Sequence, residues 1–133
     1  MTDRPDDADR GTTELILGAL AGSTLLPFVQ EVAKKAGEDV YRLLRDRLSR
    51  LSRTKAKAEI AETGAVTLAD HKSRVLLQLP ERIAPPLAGQ LEYVNLPVNR
   101  PGWVLVTWDA AQDRWVVEDL PQPPTNPTTL DPQ

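Results

Sequence analysis

The spacing of apolar residues changes near residue 57, and this change constrains the fold more than any other feature of the sequence. Before it, apolar residues recur at steps of three and four over residues 29–51, a spacing typical of one helical face. After it, apolar and polar residues alternate in short runs, as they do in β-strands. The sequence therefore predicts the α+β class, with a helical region over residues 12–57 and a small α+β domain over residues 58–120.

The predicted helical region begins with sixteen uncharged residues between Glu14 and Glu31. This stretch is shorter than the roughly 20 apolar residues of a membrane-spanning helix. An amphipathic helix follows to about Arg53. Because proline lacks a backbone N–H, Pro27 is expected to kink this helix near its start. We therefore expect one long N-terminal amphipathic helix with a kink at Pro27.

Positive charge is concentrated in this region. Residues 34–57 contain nine Lys or Arg and three Asp or Glu, although the whole chain has a net charge of −3. Five arginines of this region are candidate contacts with a partner or a membrane: Arg42, Arg45, Arg47, Arg50 and Arg53.

Three interpretations of this basic face are open. In the first, the arginines are a solvated face of a helix that packs against the rest of the protein or a second copy. In the second, residues 12–53 engage a membrane and the arginines meet anionic headgroups. The third is nucleic-acid binding, which is disfavoured because the chain is acidic overall and no aromatic residue follows Tyr41 in the basic run.

A resemblance is carried by residues 27–48, PFVQEVAKKAGEDVYRLLRDRL, and by the apolar run with GALAG before them. Together, residues 15–53 resemble helical segments of small actinobacterial accessory and effector-associated proteins. The resemblance implies an accessory or signalling context, with defence among the options. It implies no catalytic residue, and it does not extend to residues 58–133.

The second half of the chain predicts the order strand, strand, helix, strand, strand. Residues 65–70 and 74–80 flank a turn, Pro85 and Pro86 favour a helix start, and residues 103–108 and 114–120 flank the loop DAAQD. In the last hairpin we expect Trp108 opposite Trp115, with Trp103 on the other face of the sheet. Because tryptophan is enriched at binding hot spots, the candidate partner contacts here are Trp103, Trp108 and Trp115.

Residues with chemical reactivity are few. The chain has no cysteine and one histidine, His71, which falls in a predicted hairpin turn. No glycine-rich phosphate loop and no recognised metal-ligand spacing occurs in the sequence. We therefore expect no catalytic residues, no cofactor, no metal site and no enzymatic activity.

Both ends of the chain are predicted to be disordered. Residues 1–11 are acidic, unlike the basic start of a secretory signal, and residues 121–133 contain five prolines. The absence of cysteine fits a cytoplasmic protein, or one that is peripheral at or anchored in the inner face of the cell membrane.

These features together indicate a non-enzymatic accessory or interaction protein. The helical region is expected to mediate self-association into a homo-oligomer or contact with an anionic membrane surface. The α+β unit is expected to bind a protein partner, and at 63 residues it needs cover from the helical region or a second copy. The alternative function is a small membrane-active effector that inserts through residues 12–53.

Overall fold

In the part of the chain that the structure describes, the strands form one antiparallel sheet and one mixed sheet, and helices flank them. The computed structural model describes residues 13–35, 37–98, 101–125 and 128–130. The predicted acidic segment at residues 1–11 lies outside these residues. The described elements are β1 (Thr13–Leu15), α1 (Ile16–Ala19), α2 (Leu25–Lys34), α3 (Val40–Leu44), a short 3-10 helix (Arg45–Arg47), α4 (Arg50–Thr63), β2 (Ala65–Asp70), β3 (Val75–Pro80), α5 (Pro85–Leu91), β4 (Asn95–Pro97), β5 (Trp103–Asp109) and β6 (Arg114–Leu120).

The larger sheet has the strand order β2-β3-β5-β6. The outer pairs are antiparallel hairpins, and β3 pairs with β5 in parallel. A parallel pair needs a crossover connection, which α5 supplies. The elements of the larger sheet follow the predicted order strand, strand, helix, strand, strand, but the chain adds a strand that the sequence did not predict, β4, after the helix. The predicted pairing of Trp108 with Trp115 is confirmed.

One face of this sheet forms the main hydrophobic core with the helices. Alternation along the strands sends every second side chain to this face. The strand residues with no exposed surface are Val66, Leu68, Val75, Leu77, Leu79, Val104 and Val106. This core is what holds the helices in place.

The smaller sheet consists of two three-residue strands from distant parts of the chain. Thr13 of β1 lies opposite Pro97 of β4, and the Ile16 N–H donates to the Val94 carbonyl at 2.7 Å. The sequence predicts a helical region at residues 13–15 and no strand at residues 95–97. Both expectations are wrong because pairing between distant segments, which local propensity does not report, sets the conformation.

The predicted long N-terminal helix is also wrong. Strand structure starts at Thr13, and the longest helix described, α4, has 14 residues. Helix α2 ends at Lys34, and Gly37 then adopts a φ of 90°, which is incompatible with helix. No kink arises at Pro27, because it lies in the first turn of α2, where a missing N–H has no intrahelical partner to lose.

The break after α2 is held by the segment before α5. The Gly37 N–H donates to the Ile83 carbonyl at 3.0 Å, and the Val40 N–H donates to the Glu81 carbonyl at 2.9 Å. Asp39 and Arg82 form an isolated antiparallel bridge between these contacts. The chain therefore turns back on the sheet instead of continuing as a helix.

The predicted apolar stripe is buried within the same chain. Val29, Val40, Leu44 and Leu48 all lie in the main core, but on separate elements that the turns bring together. Leu51 is the exception, with 82% of its surface exposed. Self-association through the helical region was predicted from these apolar residues. Because most of them are buried in their own chain, they are not available to a second copy.

The edge of the larger sheet at β2 is closed by hydrogen bonds. Its three outward-facing N–H groups donate to the Thr63 hydroxyl oxygen at 3.2 Å, to Glu59 Oε1 at 3.1 Å and to the Thr128 carbonyl at 2.9 Å. The donors are those of Ala65, Thr67 and Ala69. An edge strand whose donors are all used offers little to another strand.

The C-terminal tail supplies one of these contacts. Thr128 bridges in parallel to Leu68 of β2, and Thr128 and Leu130 are buried. The predicted disorder of residues 121–133 is therefore wrong for residues 128–130. The proline-rich composition prevents a regular helix, but it leaves this short segment free to lie along an open strand edge.

None of the helices in the described ranges has the length and hydropathy needed to cross a bilayer.

The left-handed conformation of Gly37 gives a stability test. Replacing Gly37 by Ala is expected to lower the free energy of unfolding by about 1–2 kcal/mol, because an L-residue is strained at this φ. The added methyl group meets no atom within 4 Å, so the loss reports backbone strain and not a steric clash. Urea unfolding followed by circular dichroism measures it.

Gly89 is the matched control for Gly37. It lies inside α5 and also has open space around a methyl group. Gly89→Ala is expected to raise the free energy of unfolding by about 0.5–1 kcal/mol, since alanine restricts the unfolded chain and fits the helix. Equal effects of the two substitutions would show that Gly37 does not determine the turn.

Candidate interaction surface

The five candidate arginines lie on three consecutive short elements. Arg42 is on α3, Arg45 and Arg47 are in the 3-10 helix, and Arg50 and Arg53 are in the first turns of α4. The helix starts are fixed by side-chain caps: Asp39 Oδ1 accepts from the Tyr41 N–H at 2.9 Å, and Ser49 Oγ accepts from the Ser52 N–H at 3.2 Å. The caps give these arginines defined positions on the surface.

Two contacts hold α4 against the elements before it. Arg53 Nε donates to the Arg45 carbonyl at 2.9 Å. The Lys57 ammonium lies 5.5 Å from the centre of the Tyr41 ring, within cation–π distance. Helix α4 buries only Ala56 completely, so these polar contacts have a large share in positioning it.

Arg47 differs from the other four arginines. Its Nη2 atom lies 3.2 Å from Glu31 Oε1, and both side chains are largely buried, with 22% and 28% exposed. Lys35 lies 3.5 Å from the other oxygen of the same carboxylate. Arg47 therefore joins the 3-10 helix to α2, and its charge is neutralised within the chain.

The charges of Arg42, Arg45 and Arg50 are available to solvent. All three residues are exposed, and their one ion pair among the described residues joins Arg45 to Asp46 at 4.0 Å. That pair is highly exposed, at 57% and 88%, so its contribution is close to zero. Arg42 and Arg45 also line an open cleft of about 440 Å³ that has both acidic and basic walls.

Leu51 lies among these arginines at the start of α4. It is the most exposed of the large apolar side chains in the described part of the chain. We call Arg42, Arg45, Arg50, Leu51 and Arg53 the basic surface. It combines four guanidinium groups with one apolar side chain on a folded segment.

Trp103 is buried on the opposite face of the larger sheet. It is 9% exposed and packs with Ala69 and Leu76 in a second, smaller core. The His71 ring meets the Trp103 ring edge-on, with centroids 5.2 Å apart. Trp103 thus lies on the other face from the Trp108–Trp115 pair, as the sequence predicts.

Trp108 and Trp115 lie opposite each other and pack on the edge of the main core. The Trp115 Nε1–H donates to the Leu87 carbonyl of α5 at 2.8 Å. The Trp108 Nε1–H is buried with no acceptor among the described residues. The structure gives all three tryptophans a packing role, and their contact with a partner stays a prediction.

The reactive residues of the chain are dispersed. His71 is exposed in the turn between β2 and β3, next to Asp70, which accepts a hydrogen bond from the Ser73 N–H at 2.9 Å. Within the described ranges, no three His, Cys, Asp or Glu side chains are grouped so as to hold a metal ion. The candidate functional groups on this surface are therefore its charged side chains.

Sequence reasoning missed the pairing of Arg47 with Glu31 and the separation of the arginines onto three elements. The pairing has no local signal, since the two residues are sixteen positions apart. The separation does have one: Asp39 and Ser49 are both residue types that cap helices, and each precedes a new helix.

No protein-family model, curated protein or solved structure shows significant similarity to this chain.

The unequal environments of the arginines give a second stability test. Arg47→Ala is expected to destabilise the protein by about 1 kcal/mol, because it removes a partly buried charged hydrogen bond to Glu31. Arg42→Ala, at an exposed position, is expected to change the free energy of unfolding by less than about 0.5 kcal/mol. Thermal and urea unfolding of both variants measure the difference. A larger loss for Arg42→Ala than for Arg47→Ala would contradict the assignment.

Proposed function

We propose that this protein is a non-enzymatic accessory protein that binds an acidic segment of a protein partner through the basic surface. The observation that carries the proposal is the exposure of Arg42, Arg45 and Arg50 without effective acidic partners in the described part of the chain. Exposed guanidinium groups present planar hydrogen-bond donors that match carboxylates.

Charge distribution supports an acidic partner. The chain as a whole has a net charge of −3, whereas residues 34–57 carry nine Lys or Arg and three Asp or Glu. A local patch of one sign on a molecule of the opposite net sign orients an approaching partner as well as attracting it. Leu51 adds an apolar contact point within the same surface.

A protein partner is favoured over a membrane by the placement of the apolar residues. Helices that bind a bilayer surface bury a continuous apolar face among the lipids. Here, the apolar residues of α2 and α3 face the protein core, and Leu51 alone is exposed on the basic surface. One leucine is too small an apolar face to anchor a protein in a bilayer.

A protein partner is also favoured over nucleic acid. Single-stranded nucleic acids bind where exposed aromatic rings alternate with basic side chains. The aromatic residue nearest the basic surface in sequence is Tyr41, which is half-buried and already contacts Lys57. The basic surface therefore lacks a stacking platform.

The test is binding of fluorescein-labelled peptides measured by anisotropy. One peptide contains Asp, Glu and Leu, and its control replaces each acid by Asn or Gln. We expect the full chain to bind the acidic peptide and not the control. Binding is expected to weaken steeply between 0.05 and 0.5 M salt, because charges more than a Debye length apart are screened, and that length is about 10 Å at 0.1 M.

Charge reversal locates the binding site. Arg45→Glu combined with Arg50→Glu is expected to weaken binding by about tenfold or more, since two attractive contacts become repulsive. Lys72→Glu is the control, because Lys72 is exposed in the turn between β2 and β3 and lies outside the basic surface. Tighter binding to anionic vesicles or duplex DNA than to the acidic peptide would overturn the proposal.

Leu51 supplies an independent test of the same surface. Leu51→Gln is expected to leave the free energy of unfolding within about 0.5 kcal/mol of the original, because the side chain is exposed. It is expected to weaken binding to the acidic peptide severalfold by removing the apolar contact. A substitution that lowers stability and leaves binding unchanged would mean that Leu51 is part of the core.

A further inference from the structure

The two edges of the larger sheet differ in whether their outward-facing backbone groups are hydrogen-bonded. At the β2 edge, every outward N–H group already has an acceptor, as described above. At the other edge, β6 runs for seven residues, and within the described residues no backbone hydrogen bond joins it to a residue outside the sheet. Such an edge presents unpaired N–H and C=O groups with which another strand can pair.

The direction of the β6 backbone groups follows from the neighbouring strand. The Val104 N–H donates to the Arg74 carbonyl on the β3 side at 3.1 Å. Backbone groups alternate in direction along a strand, so Trp103, Leu105 and Thr107 are the residues that bond β6. Given the register, the N–H and C=O groups of Trp115, Val117 and Asp119 point away from the sheet.

An open groove lies along the core-facing side of β6. It has a volume of about 380 Å³, and its lining includes Trp115 and Val117 of β6 and Tyr93, Val94 and Asn95 of the chain after α5. Tyr93 is 71% exposed, and Trp115, Val116 and Val117 are all half-buried. The side chains at this edge are apolar and incompletely covered.

We propose that β6 pairs antiparallel with β6 of a second copy of this chain, about a two-fold axis at Val116. The occupant follows from the sequence of the strand, Arg-Trp-Val-Val-Glu over residues 114–118, which is complementary to itself when reversed. A two-fold interface requires that property, because when residue i of one copy contacts residue j of the other, residue j of the first copy also contacts residue i of the second.

The register places favourable pairs on both faces of the joined sheet. On one face, Arg114 lies opposite Glu118 of the second copy, and Val116 lies opposite Val116. On the other face, Trp115 lies opposite Val117 of the second copy. Trp115 and Val117 are the residues with outward backbone groups, so the pairing forms four backbone hydrogen bonds. Opposite charges and aromatic–β-branched pairs are the stabilising cross-strand contacts.

Two registers shifted towards the C-terminal end of β6 are less favourable. A two-fold axis at Val117 sets Trp115 against Asp119, and an axis at Glu118 sets that carboxylate against its own copy. In the Val116 register, like charges meet just beyond the pairing, where Asp119 lies opposite Asp113 of the second copy. The pairing is therefore limited to five residues. So small an interface forms a reversible dimer populated at high micromolar concentration.

Charge exchange between Arg114 and Glu118 tests the register. Arg114→Glu and Glu118→Arg each place like charges opposite each other twice, and each is expected to raise the dissociation constant about tenfold in sedimentation velocity experiments. The double variant Arg114→Glu/Glu118→Arg restores both pairs and is expected to dimerise as the original chain does. Both side chains are exposed, and thermal unfolding checks that each variant is folded.

Mixing the two single variants is the most discriminating of these experiments. A chain with Glu at residues 114 and 118 faces a chain with Arg at both, so the mixture is expected to form heterodimers more tightly than either variant pairs with itself. Failure of the mixture and of the double variant to restore association would overturn the proposal.

Amide hydrogen exchange on the unmodified chain tests the same interface without substitutions. The N–H groups of Trp115 and Val117 are expected to gain protection as the protein concentration rises from low to high micromolar. Those of Val116 and Glu118 already bond β5, so their protection is expected to stay constant. A strictly monomeric protein, or protection confined to another element, would refute the proposal. Neither result bears on the basic surface, which excludes Arg114.

Discussion

The backbone contact between residues 37–40 and residues 81–83 determines where the segment that carries the basic surface lies. Gly37 and Val40 donate to carbonyls on either side of Arg82, and this pairing stops α2 from continuing. The chain is turned onto the sheet, and Asp39 starts a new helix. Without this contact, the apolar residues after it would form one stripe and need an external partner. With it, they complete the core of their own chain.

The sequence predicted the second half of the fold well and the first half poorly. Alternation in residues 65–80 and 103–120 reports burial directly, because a strand has one period and one buried face. In the first half, residues at helical spacing are buried on α2, on α3 and at Leu48 alike. Spacing identifies which residues are buried, but it does not distinguish one long helix from several short ones. Gly37, Asp39 and Ser49 were the available signals of the breaks.

Among the candidate residues, too, local sequence identified some features, whereas others depend on contacts between residues that are distant in sequence. The five arginines could be selected from sequence because they lie off the apolar spacing, and four of them belong to the basic surface. Arg47 could not be separated from them, since its neutralising partner Glu31 is brought near by the turn after α2. Composition drew attention to the tryptophans, but exposure depends on what covers each face. Trp103 is covered by the second core, and Trp115 is tied to α5.

The pairing of β1 with β4 has a consequence for how the chain folds. Leu15 lies opposite Asn95, and near the other end Thr128 bridges to Leu68, so both outer segments are fixed by partners far away in sequence. To form a contact between residues so far apart, the chain must first lose the conformational entropy of a large loop. Such contacts therefore slow folding relative to a helical bundle of similar size. The hairpins β2–β3 and β5–β6 can form locally and early. A growing chain would therefore hold its first strand unpaired until residues 95–97 have been synthesised.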